Sequence, residues 1–231
     1  MKIRYAAIFL ALPLLCTTAQ ANSFLHYAGE FNFRTGEKQN NVTIAGLSAI
    51  TFDAKKNIFY AINDSRNNNK EGDASLYTLK IQVSSRGIEQ VNFLNQRPLL
   101  DAKQQPFVTN TVDAEGLALT HNGKSLLWSS ELGAPLRLST LDGVMEKDFT
   151  SLFPARVNIS SDKESSNGIR SGNAWEGLTV TPDGKSLFIA VESSLKQDGP
   201  IASPINSGTA RLLQFSIDAA NATAAIPPTE L

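Results

Sequence analysis

Six carboxylates stand at the ends of repeated apolar hairpins. Asp113 and Glu115 precede one short apolar hairpin and Glu131 follows it; Glu176 precedes the next and Glu192 follows that; Asp64 follows an earlier one. Equivalent positions of successive repeats point to the same rim or the same central channel, so these acids can converge on one axis. Converging carboxylates repel, and the repulsion is relieved by a hard divalent cation, by a salt bridge to Arg or Lys, or by proton uptake at a raised pKa. A ligand set made only of oxygen, with no His or Cys, favours calcium over zinc. Alternatively, each Glu before a Gly-Leu pair braces its own hairpin by accepting backbone N–H groups. Both readings stay open for a single residue, and the repetition of both flanking acids in two hairpins favours the cation.

Other chemistries are narrowed by residue types. One cysteine and two histidines in 231 residues exclude a disulfide framework and thiolate zinc clusters, and leave little room for histidine metal sites. Lys+Arg 21 against Asp+Glu 22, with pI ≈ 6.1, provide no basic field for a nucleic acid or an anionic membrane surface. Gly123-Lys124-Ser125 and Gly184-Lys185-Ser186 suggest phosphate loops, but the glycine needed five residues upstream is Ala118 or Thr179. Hairpin turns also fall where a helix would have to begin. No Gly-x-Ser-x-Gly elbow exists, and neither His26 nor His121 has a partner signature, so a Ser-His-Asp hydrolase is not expected. His121 reads as a turn residue.

The elements that must position the acids come from repetition. Glu115-Gly116-Leu117 through Trp128 is echoed without a gap by Glu176-Gly177-Leu178 through Ile189, at an offset of 61 residues. A weaker copy runs from Gly46-Leu47-Ser48 to Ile62. Each copy is two alternating apolar runs around an Asn-Gly, Asp-Gly or Asp-Ala-Lys-Lys turn, which is a hairpin signature. The runs 75–81, 136–141 and 211–217 supply a further strand each, and no mature segment sustains a helical period. Short strands in units of roughly 60 to 70 residues predict an all-β fold of propeller blades, with a duplicated β-sandwich as the alternative. About three blades fit, fewer than the roughly four to eight that close a propeller, so the ring is expected to be incomplete. The alternatives are a truncated gene product, a fragment, or closure by self-association. The Ala-rich tail after Ile217 reads as an inter-blade loop or cut end, with no closing strand after it. Long polar loops are expected at 64–73 and 155–174.

Residues 1–21 read as a secretory signal peptide: Lys2 and Arg4, an apolar run from Tyr5 to Cys16, then Ala19-Gln20-Ala21. The run is too short to span a bilayer, and Leu15 before Cys16 does not fit lipidation. The expected mature domain, 22–231, is a periplasmic or secreted chain with no membrane anchor, no cysteine, and 19 basic against 22 acidic residues.

These residues resemble the phytase-like family of exported bacterial proteins, described as having an esterase-like activity. The resemblance rests on Gly46-Leu47-Ser48 through Asn63-Asp64-Ser65, Pro98-Leu99-Leu100-Asp101, Asp113-Ala114-Glu115-Gly116-Leu117 and Ser129-Ser130-Glu131. It continues through Asn173-Ala174-Trp175-Glu176-Gly177-Leu178, Val191-Glu192-Ser193 to Pro200, and Arg211-Leu212-Leu213. It implies a propeller that continues beyond this chain's C-terminal residues, and a calcium-assisted hydrolase of a small, phosphorylated substrate. In that reading Asp113, Glu115, Glu131, Glu176 and Glu192 are metal or water-activating groups, with Glu115 and Glu176 as the catalytic pair and Asp64 peripheral. Arg211 and Lys196 are the anion binders. The family often has Arg before the aromatic residue of the strand where this chain has Ser75-Leu76-Tyr77. A lactonase-like propeller hydrolase and a non-catalytic propeller that binds a ligand or protein on its rim are the alternatives.

Overall fold

The computed structural model describes residues 27–34, 36–39, 41–157, 165–218, 223–224 and 229–230. The signal peptide expected at 1–21 and part of the 155–174 loop lie outside the described residues. A small ribbon, β1 (Lys38–Gln39) and β2 (Val42–Thr43), leads into three antiparallel sheets. Blade 1 is β3 (Leu47–Asp53), β4 (Ile58–Asn63), β5 (Ser75–Ser84) and β6 (Gly87–Pro98). Blade 2 is β7 (Ala114–Leu119), β8 (Ser125–Ser130), β9 (Leu136–Thr140) and β10 (Met145–Asp148). Blade 3 is β11 (Trp175–Val180), β12 (Ser186–Val191) and β13 (Leu212–Asp218), with β14 (Thr223–Ala224) and β15 (Thr229–Glu230) on β13. The first strand of each blade is innermost, and β7 packs between β3 and β11. The described residues therefore form three blades of an all-β propeller.

The tail corrects one expectation. Ile217 pairs with Ala224, and Leu213 with Glu230, so strand pairing continues into the tail that reads as a loop or cut end. Such pairing needs only backbone N–H and C=O groups, and the Ala- and Pro-rich tail has none of the apolar alternation by which a strand is recognised.

Local chemistry makes the hairpins alike. In blade 2 the Thr120 and Ser125 backbones pair, Asn122 Oδ1 accepts the Lys124 N–H at 3.0 Å, and Gly123 turns the chain at φ 70°. Blade 3 repeats this with Thr181, Ser186, Asp183, Lys185 and Gly184, the last also at φ 70°. Asn and Asp close such turns on their own backbone, and glycine adopts the left-handed conformation without strain. His121 is a turn residue as expected, and its Nδ1 lies 3.1 Å from the Pro182 carbonyl in the next blade's turn.

The core lies mainly between the blades. Tyr60, Ile62 and Leu76 of blade 1 pack against Leu117, Leu126 and Trp128 of blade 2. Leu127 and Leu136 of blade 2 pack against Trp175, Leu187 and Ile189 of blade 3. Connecting segments add to each joint: Phe107 and Val112 in the first, Phe149 and Phe153 in the second. On the outer face of blade 1, Val42 and Ile44 cover Tyr77 and Phe93. A blade buries its faces only against its neighbours, so these joints are the hydrophobic core of the fold.

The second joint is tightest at its inner edge. A Cβ on Gly116 would lie 2.5 Å from the Glu176 carbonyl oxygen and 2.7 Å from the Leu178 Cβ. Ser129 Oγ donates to that same carbonyl at 2.6 Å, tying β8 to β11. Because backbone fills the space, Gly116→Ala is expected to destabilise the chain by about 1–3 kcal/mol through overpacking. Urea denaturation measures this, and an unchanged midpoint would mean that the inner strands do not approach so closely.

Candidate metal centre between the blades

Register explains how the acids come together. Ala114 pairs with Ser130 and Leu117 with Trp128, so Glu115 and Gly116 both face Ser129 in a β-bulge. Trp175 pairs with Val191 and Leu178 with Ile189, which puts Glu176 and Gly177 in the same bulge of blade 3. In blade 1 the register shifts between Leu47 and Ala49, so Ser48 holds the equivalent place. A bulge bends its strand and re-aims a side chain. It recurs at the entry of each inner strand, and in blades 2 and 3 the re-aimed residue is a glutamate.

The acids at the far ends of the hairpins are fixed by a repeated backbone bond. Asp64 N–H donates to the Gly46 carbonyl, Glu131 N–H to Asp113, and Glu192 N–H to Ala174, each at 2.9 Å. Glu131 also spans the joint, since its Oε1 accepts the Ala174 N–H at 2.7 Å. Asp113 is an additional acid where the other blades have Gly46 and Ala174.

Among the described residues, two carboxylate triplets result. Asp113, Glu115 and Glu131 form one, Glu131, Glu176 and Glu192 the other, and within each the potential ligand oxygens lie within 4.8 Å of one another. Glu131 is shared and buried, Asp113 is fully buried, Glu115 and Glu176 are half-buried, and Glu192 is exposed. Asp64 is exposed and lies in neither triplet, but its charge acts on Asp113 and Glu115. Five of the six predicted acids thus converge, with Asp64 peripheral.

Arg66 is the site residue that sequence reading misses. It reaches from the loop after β4, and its Nε and Nη2 donate to Asp113 Oδ2 at 2.8 and 2.6 Å. Both bonds fall on one oxygen, and the buried Asp113 Oδ1 has no hydrogen-bond partner. The repeat positions matching Arg66 are Gly133 and Ser194, so periodicity carries no trace of it. The predicted anion binders sit in the β12–β13 connection and have partners of their own. Arg211 makes a two-pronged pair with Asp198, Nε to Oδ2 at 2.6 Å and Nη2 to Oδ1 at 2.7 Å. Lys196 Nζ donates to the Ser165 carbonyl at 3.1 Å.

The electrostatic consequence is proton retention. Burial first, then the charges of Glu176, Asp113, Asp64 and Glu131, push the Glu115 carboxyl up to about 8. Burial, then Glu131, Glu192 and Asp113, also raise Glu176. Asp113 is raised because burial outweighs the Arg66 guanidinium.

A carboxyl with a raised native pKa holds a proton that the unfolded chain has already released, so its stabilising effect is complete at low pH and is lost as pH rises through the native value. For Glu115 that window runs from 4.5 to about 8. In chelator, the melting temperature is expected to fall across this window, and Glu115→Gln to flatten the slope. Melts at graded pH check this, and a slope unchanged by the substitution would assign the pH dependence elsewhere.

Among solved structures, the Pseudomonas aeruginosa periplasmic gluconolactonase is similar at TM-score 0.40 and 12% identity, over 81% of this chain and 57% of that one. A putative 6-phosphogluconolactonase of Bacteroides uniformis gives TM-score 0.38 and 12% identity, over 82% of this chain and 58% of that one. The chain thus spans less than three-fifths of either structure's length. No curated protein matches. Residues 42–229 match the phytase-like family, described by the esterase-like activity of phytase. That stretch takes in every blade and all six acids, and by it the chain belongs to the phytase-like family.

Proposed function

We propose that this chain is an exported ester hydrolase, with phosphate esters as its first substrate class, and that calcium held between blades 2 and 3 assists it. The observation that carries the proposal is the pair of carboxylate triplets sharing buried Glu131, with one buried oxygen of Asp113 left bare. A bare buried carboxylate oxygen costs free energy unless a cation or proton meets it. The donors are all oxygen, in the number and flexibility that suit calcium. The signal-peptide pattern at 1–21 supports export, and the family's esterase-like description supports hydrolysis.

Asp113, Glu115, Glu131, Glu176 and Glu192 would hold the cation. Bound calcium supplies positive charge against a substrate oxygen on which negative charge develops. Glu131 is locked by the Ala174 N–H and sets the spacing of the two triplets. Glu115 and Glu176 sit at the half-buried edge, where a carboxyl of raised pKa can hold or take a proton near neutral pH. Arg66, with its side chain 41% exposed, steadies Asp113 and places a guanidinium beside the centre for an anionic substrate.

Hydrolysis of p-nitrophenyl phosphate and p-nitrophenyl acetate, in calcium and in chelator, tests the reading. Turnover that needs calcium and falls by about 100-fold or more in Glu115→Gln and Glu176→Gln is expected. Turnover indifferent to chelation, or none on either ester with calcium present, would overturn it.

A further inference from the structure

Blade 2 departs from the repeat at two buried places. One is Asp113, where the other blades have Gly46 and Ala174. The other is Arg137, which pairs with Trp128 as Tyr77 pairs with Ala61 in blade 1 and Leu213 with Ile189 in blade 3. A guanidinium thus stands where the repeat places a ring or an aliphatic chain. Arg137 is 4% exposed, and its guanidinium carbon lies 4.7 Å from the centre of the Trp128 ring and 5.3 Å from that of Phe107.

Ring faces attract a cation, but a buried guanidinium also needs acceptors for its N–H groups. Here the acceptors are carbonyl oxygens of the two loops that flank the acids. Nη1 donates to Ala134 at 2.8 Å, and Nη2 to Leu132 and Thr111 at 3.4 Å each. Leu132 follows Glu131, and Thr111 lies shortly before Asp113, so one planar fork joins the backbone beside two acids of the first triplet. Gly133 leaves the room for it: a Cβ there would lie 2.6 Å from Arg137 Nη2 and 2.5 Å from the Thr111 carbonyl oxygen. The loop that ends at Thr111 in turn holds the Arg66 segment. Asn110 N–H donates to the Arg66 carbonyl at 2.8 Å, and Thr109 Oγ1 to that of Asn67 at 2.9 Å.

We infer that Arg137 is the positioning residue of the acidic centre: by binding both loops it sets the separation of Asp113 and Glu131 and the place of Arg66. It acts through backbone carbonyls and the rings it lies between. The inference rests on the cation reading above for what that spacing serves. Groups that orient metal ligands from outside are worth about 10–100-fold in metal affinity.

Amide hydrogen exchange in chelator reads the position of Glu131 without metal. The Glu131 N–H donates to the Asp113 carbonyl, and the Ala174 N–H donates to the Glu131 carboxylate from across the joint. Arg137→Met keeps the bulk between the rings and removes the fork, and Arg137→Lys keeps the charge as well. In both, exchange at these two amides is expected to speed by about 10-fold or more while the β12–β13 ladder is unchanged, with lysine the milder. Calcium affinity, by calorimetry, is expected to fall by about 10–100-fold in Arg137→Met. Unchanged exchange at Glu131 and Ala174 would overturn the inference, as would an unchanged calcium affinity. Exchange speeded alike in every blade in both variants would also overturn it, and would make Arg137 a residue of general stability. Absence of calcium binding in the unsubstituted chain would instead overturn the cation reading, and the exchange result would still decide the role of Arg137.

Discussion

The inner strands of blades 2 and 3 approach until backbone meets backbone, with the Glu176 carbonyl where a Gly116 side chain would begin. The acidic centre depends on that proximity. It lets Ser129 bridge to the Glu176 carbonyl and Glu131 reach the Ala174 N–H, so the joint is held by these hydrogen bonds and by the apolar packing of Trp175, Leu187 and Ile189. The apolar joint supplies the driving force and the polar contacts fix the distance. A looser joint would leave the acids of two blades as separate surface charges.

Held at this distance, the carboxylates are in electrostatic conflict. Arg66 answers for one oxygen of Asp113 only. Proton uptake answers for Glu115, whose carboxyl is pushed up to about 8. A divalent cation would replace both remedies at once, which is why a centre under strain without metal is a candidate centre with it. The positions are also graded from fully buried Asp113 to exposed Glu192, so a ligand entering from solvent meets the less constrained carboxylates first.

Much of this is legible in the sequence, for identifiable reasons. The Asn-Gly and Asp-Gly turns and the echo of Glu115-Gly116-Leu117 in Glu176-Gly177-Leu178 give the hairpins, the blade period and the convergence of the acids. The bulge is hidden, because Glu-Gly-Leu reads as continuous strand until partner register is known. Arg66 is hidden for a different reason: a single ion pair from a loop has no period. Arg211 and Lys196 illustrate the converse, since charge alone does not reveal that Asp198 and the Ser165 carbonyl already engage them. Backbone pairing of β14 and β15 leaves no side-chain pattern at all.

The central claim is that the joint between blades 2 and 3 holds a divalent cation. Thermal melts of residues 22–231 after chelation, with and without millimolar calcium, test it most directly, because a ligand bound only by the native state raises the transition by mass action. The account predicts a cooperative transition that rises with calcium, and loss of that rise in Glu131→Gln, which removes a charge shared by both triplets. A transition unmoved by calcium in the unsubstituted chain would contradict it and leave the acids as structural groups relieved by protons and Arg66.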